Sequence, residues 1–589
     1  MTTLTRTLFD RLGWTEDYLA EINDPAHPDL RDLDLMIETL HQLHQDRTRI
    51  VVMPDFDTDG VTSGVVAYVG LAQLGFNVEV YVPDYRFGHD IMPEAVADLI
   101  VKHPDVKVIL TTDAGTNSHA GIGFAAQCGL RVLVTDHHQQ LPSDEPLAAE
   151  VIINPYRLDE TYPHPGICGA HVIFQVIQAY TQRYQPAQAP VINRLALFAG
   201  LGTVADVMPL LYENRDLVRR SLSLARLLFD PKDHWHSALY ETIVHERAQG
   251  AITPAYFNAF AGFGQLLRAL HEQGSIRDAY LREDLYGFFI APAINSARRI
   301  LSDGANAFRC FFLGTESGRA AAIRAVLDDN TQRKTLSAEF LAKLRQDPQP
   351  YAPYVWISDA PGGMLGLLAS NISRDLDVPV AVLRQAKKGS FSGSARAPIG
   401  VDIITGLAEQ PGLRAVGHAQ ACGVAADSED HLALMADILC ALDVRRSADQ
   451  TSTEAPFPGL ILGDSDEADD RTPDPEELIN LVDHIASLSP FGHGFPEPLH
   501  KIVLDPARVL VLELGQATYD DNGNEITPAG RHTKLVSLNS GLQLLWWNSA
   551  DERDAIKTAD KPLTFLANLG VNTFRGSTKP QAIIQSRLG

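Results

Sequence analysis

The sequence predicts an α/β protein of several domains: a doubly wound parallel sheet first, a helical connector next, then a second α/β unit and a C-terminal β-barrel. Three observations carry this. Short continuous apolar runs alternate with amphipathic helical stretches in the first part of the chain, the pattern of parallel strands covered on both faces. The middle of the chain has helical period. Beyond about residue 500, strand-like runs dominate. At 589 residues, and ~100–200 residues per domain, there is room for three to five folding units.

The first helix is read from Pro28-Asp29 followed by Leu30, Leu33, Met36, Ile37, Leu40 and Leu43. The β-type runs Arg49–Pro54, Val78–Pro83, Val106–Thr112, Arg131–Thr135 and Val151–Ile153 follow, separated by segments such as Thr62–Leu74 and Pro93–Lys102. Residues 215–345 are mostly helical, as in Asn214–Leu228, Thr253–Gln273 and Arg319–Leu344. The second α/β pattern holds Tyr354–Ser358, a Gly362-Gly363-Met364-Leu365-Gly366 turn opening a helix, Val378–Leu383 and Ser390–Ala395. Between Arg445 and Glu476 the composition shifts to Ser, Thr, Pro, Asp and Glu, an exposed acidic linker. The runs Arg508–Leu514, Thr533–Leu538, Leu542–Trp547, Leu563–Leu569 and Gln581–Gln585 suit a small barrel of the oligonucleotide-binding (OB) type.

Composition narrows the function classes. Hydrophobic residues make up 45% and charged ones 21%, as in ordinary globular proteins. No stretch approaches the ~18 apolar residues of a membrane helix. The segment Met1–Asp10 lacks a signal-peptide layout, so a cytoplasmic protein with no membrane partner is expected. Cys128, Cys168, Cys310, Cys422 and Cys440 are far apart without a C-x-x-C pair, which predicts buried thiols rather than disulfides or a zinc site. A net charge of −25 argues against a protein that coats duplex DNA. It leaves room for one that confines Lys and Arg to a single groove and uses acid to hold divalent metal.

The informative feature is where polar residues fall. Asp55, Asp57 and Asp59 follow the first run, Asp113 the third, and Asp136, His137 and His138 the fourth. Open α/β sheets bind ligands at the carboxyl ends of their strands, so these segments converge on one crevice. Alternating carboxylates in Asp55-Phe-Asp57-Thr-Asp59-Gly60 offer several oxygens to one volume, as hard cations such as magnesium or manganese require. Taken alone, that run equally suits a helix cap or a solvated turn. Asp206, in the apolar stretch Gly202-Thr-Val-Ala-Asp206-Val-Met-Pro209, is costly to bury without a cation or hydrogen bonds.

These segments resemble the four successive motifs of the DHH phosphoesterases in the order of the RecJ branch: D-F-D-T-D-G at 55–60, T-T-D-A-G at 111–115, V-T-D-H-H at 134–138 and G-T-V-A-D-V-M-P-L at 202–210. Further similar segments are Asn154-Pro155, Cys168-Gly-Ala170, Asn214-Arg215, Ala291–Arg299, Gly393-Ser394-Ala-Arg396, Gly417-His418-Ala-Gln-Ala-Cys-Gly423 and Leu488–Pro498. On that basis the chain divides into a DHH catalytic domain (1–220), a helical connector (221–345), a DHH-associated domain (346–444), an acidic linker and helix (445–483) and an OB domain (484–589).

The resemblance implies a metal-dependent exonuclease for single-stranded DNA, working 5′→3′ in repair and recombination with two divalent ions, Mn2+ or Mg2+. Asp57, Asp59, Asp113, His137 and Asp206 would be ligands, Asp113 bridging. Asp55 would be a further metal ligand and His138 a further catalytic residue, and Asp136 would orient the imidazoles. Arg299, Ser394, Arg396, Gly417 and His418 would grip phosphate, and Phe491, Trp546, Trp547 and Phe574 could stack on bases. A monomer partnered by a helicase or single-strand-binding protein is expected. Three positions depart from the family pattern: Met53 stands for a His, Arg298 for a Gly, and Val416 for the first Gly of G-G-H. The 229–285 connection is also longer. Two alternatives are a phosphodiesterase for short oligoribonucleotides or cyclic dinucleotides, and a non-catalytic replication subunit.

Overall fold

The computed structural model describes the chain except residues 1, 85–90, 144, 230–236, 277–280, 302, 387–388, 399, 409, 453–458, 466–467, 471–473, 517, 520–524, 528, 575–576 and 589. The side chains of His418 and Phe574 also lie outside the described set. Two compact units result, one from 27–208 with 217–454, the other from 1–26, 209–216 and 455–589. No described helix is long and apolar enough to cross a membrane.

Helices α1 (Thr3–Leu12) and α2 (Glu16–Ile22) open the chain and belong to the smaller unit. The larger begins with α3 (Leu33–Gln45), β1 (Ile50–Pro54), α4 (Thr58–Gln73), β2 (Val78–Val80), α5 (Pro93–Lys102), β3 (Val108–Thr112), α6 (His119–Gln127), β4 (Arg131–Thr135), β5 (Val151–Ile153) and α7 (Gly169–Tyr184). The strands form one sheet in the order β2-β1-β3-β4-β5, parallel throughout. Every residue of β1 and β3 is buried, which explains their continuous apolar composition. Val51, Met53, Ile109, Val132 and Val134 join Val96, Leu99 and Ile122 of α5 and α6 on one face. By alternation, the equally buried Ile50, Val52, Leu110 and Leu133 line the other, where α4 and α7 pack.

A helical region follows: α8 (Ala189–Ile192), α9 (Ala196–Ala205), α10 (Tyr212–Leu228), α11 (Ala238–Ala248), α12 (Pro254–Glu272), α13 (Ala291–Ile294), α14 (Ser296–Ile300), α15 (Ala305–Phe312) and α16 (Glu316–Gln346). The 229–285 connection supplies α11 and α12, and α12 packs against α4, α15 and α16. The second α/β part runs β6 (Val355–Ile357), α17 (Gly362–Leu376), β7 (Val380–Gln385), β8 (Phe391–Arg396), α18 (Ile403–Ala408), β9 (Leu413–His418), β10 (Ala421–Ala426) and α19 (Glu429–Ser452). Its sheet is mixed, ordered β6-β7-β8-β10-β9, with only β6 and β7 parallel.

The smaller unit holds β11 (Ile461–Gly463), α20 (Pro475–Ser487), β12 (His500–Leu504), β13 (Val509–Leu514), β14 (Thr518–Tyr519), β15 (Glu525–Thr527), β16 (His532–Ser537), β17 (Gln543–Trp546), α21 (Arg553–Lys557), β18 (Leu563–Phe574) and β19 (Ser577–Leu588). Seven of these strands form a sheet in the order β11-β12-β18-β19-β17-β16-β13. Three expectations are corrected here. The stretch read as an exposed acidic linker contributes β11, which pairs with β12, while the helix expected after it is α20, whose Leu478, Leu481 and Ile485 enter the core. Residues 1–26 pack into this unit through Leu4, Leu8, Trp14 and Ile22. Phe491, read as a base platform, is buried in the same core, its ring stacked on Phe495 at 5.4 Å. Trp546 packs edge-on against Phe565, whereas Trp547 is about half exposed at 49%. The reading of all cysteines as buried also fails for Cys128, which is exposed, and for Cys440, which is only partly buried.

His500 is wholly enclosed in this unit. Its Nδ1 accepts from the Leu460 N–H at 3.3 Å, while Nε2 has no partner among the described residues. Burial pushes its pKa down from 6.5 to about 3. Between those values the unfolded chain binds a proton that the folded one refuses, so stability falls as pH drops below 6.5, by up to about 1.4 kcal/mol per pH unit for one such group. Thermal unfolding at pH 7 and pH 4.5 should therefore show a smaller acid-induced drop in Tm for His500→Gln than for wild type. Equal drops in the two proteins would refute this.

Candidate metal centre

The acids occupy the carboxyl edge of the parallel sheet because the backbone ladder continues into them. Asp55 N–H donates to Thr112 O at 3.1 Å, Asp113 N–H to Thr135 O at 2.9 Å, and Asp136 N–H to Ile153 O at 3.0 Å. Asp57 caps α4, its Oδ1 accepting from Gly60 N–H at 3.1 Å, and Asp59 lies in the first turn. Asp113 adopts a left-handed φ of 59°, unusual for a residue with a side chain and a mark of functional edges. Asp206 caps the C-terminus of α9.

These side chains meet. His137 Nε2 stands 3.1 Å from Asp113 Oδ1, 3.5 Å from Asp206 Oδ2 and 3.7 Å from Asp59 Oδ2. Asp59, His137 and Asp206 form one group able to hold an ion, and Asp55, Asp57 and Asp113 a second, the ligand atoms within each lying within 4.8 Å of one another. A third combination links Asp113, His137 and His138. Asp113 thus reaches both ends of the cluster. A cavity of about 200 Å³ beside it is lined by Asp55, Asp113, Asn117, Asp136 and His138 among others.

Burial and mutual repulsion set the electrostatics. Asp113 is pushed well above the ordinary carboxylate range by burial and then by Asp59, Asp57, Asp55 and Asp206. Asp55 rises to about 8 through burial and Asp57. Asp206 rises to about 8 through burial, Asp59 and Asp57. Asp59 is also raised, by burial first, although the Gly169 and Ala170 N–H groups at the start of α7 donate to it at 2.6 and 3.1 Å. Asp113 Oδ1 is buried without a hydrogen-bond partner among the described residues; His137 Nε2 is near but not aligned to donate. Crowded carboxylates that lack compensation, with an orphaned oxygen at their centre, fit hard divalent cations such as magnesium or manganese.

Asp136 behaves differently. Burial would raise it, but His138 Nδ1 at 2.8 Å, the charge of His137 and the Thr116 N–H at 2.9 Å hold it below the usual range. Its Oδ1 also accepts from the His137 and His138 N–H groups at 2.7 and 3.2 Å. It fixes the His-His turn rather than facing the cluster. Met53 is fully buried among the apolar residues of β1, α5 and α6 and supplies no ligand.

The arginines come from the connector and second sheet. Thr58 N–H donates to Asn295 Oδ1 at 2.9 Å, and Thr58 Oγ1 to Ala291 O at 3.2 Å, tying α13 and α14 to the first turn of α4. Arg299 lies among Arg298, Arg333 and Arg396; burial and then these charges depress its pKa to about 10, against the pull of Asp57. The start of α17 closes onto them. A Cβ at Gly363 would sit 2.9 Å from Arg299 Cα, and one at Gly366 would sit 2.9 Å from Arg396 Nη2 and 3.4 Å from Ser394 Oγ. On the neighbouring strands Arg396 and His418 both stand opposite Ala421; the His418 side chain lies outside the described residues. Gly417 is exposed with φ 136°. The Gly169 and Ala170 amides, the Thr116 amide and Asn295 had no assigned role in the sequence, although Cys168-Gly-Ala170 and Asn295 lay inside familiar segments.

Comparison with known proteins places this geometry. The DHH family, N-terminal domain, matches residues 49–203, and the RecJ OB domain matches 470–586. The single-stranded-DNA-specific exonuclease RecJ of Escherichia coli is 28% identical over 95% of this chain and 90% of its own length. That of Dickeya dadantii is 27% identical over 93% and 89%. RecJ of Thermus thermophilus in complex with Mn2+ superposes with a TM-score of 0.69 at 23% identity, covering 99% of this chain and 76% of that one. An exonuclease RecJ bound to manganese gives 0.52 at 26% identity over 71% and 96%.

Ligands that bind only the folded state raise its unfolding temperature. Mn2+ should therefore raise the Tm of the wild type, and Asp113→Asn, which keeps the shape, should lose most of that rise. An undiminished Mn2+ shift in the variant would remove Asp113 from the centre.

Proposed function

We propose that this chain, a RecJ-type protein built on a DHH domain and a RecJ OB domain, is a metal-dependent exonuclease that hydrolyses phosphodiester bonds of single-stranded DNA, proceeding 5′→3′ in repair and recombination. The observation that carries the reading is the convergence of two ligand groups, Asp59–His137–Asp206 and Asp55–Asp57–Asp113, on one sheet edge. The names and coverage of the relatives support the substrate class.

Asp55, Asp57, Asp59, Asp113, His137 and Asp206 would hold a pair of divalent ions, Mn2+ or Mg2+, with His138 at the margin. Such a pair supplies positive charge for the attacking and leaving oxygens of an in-line displacement. The remaining work belongs to the protein. The α7 amides anchor Asp59, and Asp136 keeps the two imidazoles in place. Arg299 and Arg396, with Ser394, Gly417 and His418, grip the backbone phosphates, a task suited to the guanidinium fork. Free cysteines fit a cytoplasmic setting. A monomer acting on strands opened by a helicase or coated by a single-strand-binding protein completes the reading.

The test uses a single-stranded oligonucleotide labelled at one end. With Mn2+ the wild type should shorten it stepwise from the 5′ end, while Asp57→Ala and His137→Ala, folded by circular dichroism, should leave it intact. Digestion by both variants would overturn the site assignment.

A further inference from the structure

We infer that Arg298 is a further phosphate-binding residue, its guanidinium gripping a non-bridging oxygen of the scissile phosphodiester on the Asp55 side of the cluster. This deepens the nuclease reading and rests on it. Arg298 stands on α14, a five-residue helix held to the first turn of α4 by the Thr58 hydrogen bonds to Asn295 and Ala291. Its guanidinium carbon lies 5.6 Å from the centre of the Phe56 ring, between Asp55 and Asp57 in sequence. At that distance the ring face attracts the cation and helps to hold the guanidinium beside it.

Arg298 and Arg299 divide the approach between them. Arg298 acts on Asp55, and Arg299 on Asp57. A Cβ at Gly363 would sit 2.9 Å from Arg298 O, so glycine is what lets the start of α17 lie close against the Arg298–Arg299 backbone. Arg298 Nη1 is buried with no hydrogen-bond partner among the described residues. A buried donor left unsatisfied is costly and calls for an acceptor. Arg333 is the weaker candidate, because its Nε and Nη2 are already engaged by Asn330 Oδ1 at 3.1 and 2.9 Å. An oxygen of a phosphodiester bound against Asp55 and Asp57 would supply the missing acceptor for Arg298.

A purely structural Arg298 would instead neutralise Asp55, and two measurements separate the roles. In the full-length protein with Mn2+, Arg298→Ala should lower kcat/KM on a single-stranded oligonucleotide about 100-fold, mostly in kcat, as loss of one charge-stabilising donor does. Its Mn2+ affinity, measured calorimetrically without DNA, should match that of the wild type. Arg298→Lys keeps the charge beside Asp55 but not the fork; if the alanine variant does not fold, it carries the test by the same criteria. A fall in kcat/KM of less than about tenfold, or a fall matched by lost Mn2+ affinity, overturns the inference. A wild type that leaves single-stranded DNA intact would instead defeat the nuclease reading itself.

Discussion

Asp55, Asp59, Asp113 and Asp136 are all more than nine-tenths buried at one edge of one sheet, and carboxylates so placed repel each other while losing their water. That crowding is the condition to which the surrounding structure answers. The first turns of α4 and α7 point backbone amides at Asp57 and Asp59, where the helix dipole favours negative charge. His137 leans between Asp113, Asp206 and Asp59. A row of arginines is brought up from the connector and the second sheet. None of these supplies Asp113 Oδ1 with a hydrogen bond among the described residues, and that deficit is what a pair of cations would meet.

The edge depends on register. Pro54 pairs with Thr112 and Thr112 with Thr135, so Asp55, Asp113 and Asp136 leave the sheet in one row. Side chains alternate between faces, so a slip of one residue would turn alternate acids into the apolar layers beneath α5 or α4. The continuous burial of β1 and β3 opposes such a slip. The acidic edge is thus specified by the buried apolar residues of β1 and β3.

The same dependence explains what the sequence revealed. Continuous apolar runs followed by Asp or His are visible because both the strand and its terminus have a local signature, and the seven acidic and imidazole positions from Asp55 to His138 are read that way, whereas Asp206 is read as an acid inside an apolar stretch. Long-range pairings lack such a signature. Ile461–Gly463 is a three-residue strand inside a polar stretch, recognisable only through its pairing with His500–Leu504. Trp14 stacks on Phe495 from the far end of the chain, at 4.9 Å, and Phe491 proved to be core for the same reason. The Gly169 amide matters to Asp59 only once α7 has folded against α4.

Asp136-His137-His138 shows how three consecutive residues acquire three roles. Asp136 spends its oxygens on amides and on His138 Nδ1, so it stays ionised without a cation. Burial lowers the pKa of His137, the charge of Asp59 notwithstanding, which favours the neutral ring that a metal ligand must be. For His138 burial pulls the same way, but the hydrogen bond and charge of Asp136 overcome it and raise the pKa to about 10. The two adjacent imidazoles are therefore shifted in opposite directions: His137 is enclosed by carboxylates, whereas the His138 side chain is 57% exposed at the rim and held by Asp136. Exchanging their surroundings would exchange their chemistry, because the difference lies in which of them Asp136 can reach with its remaining lone pairs.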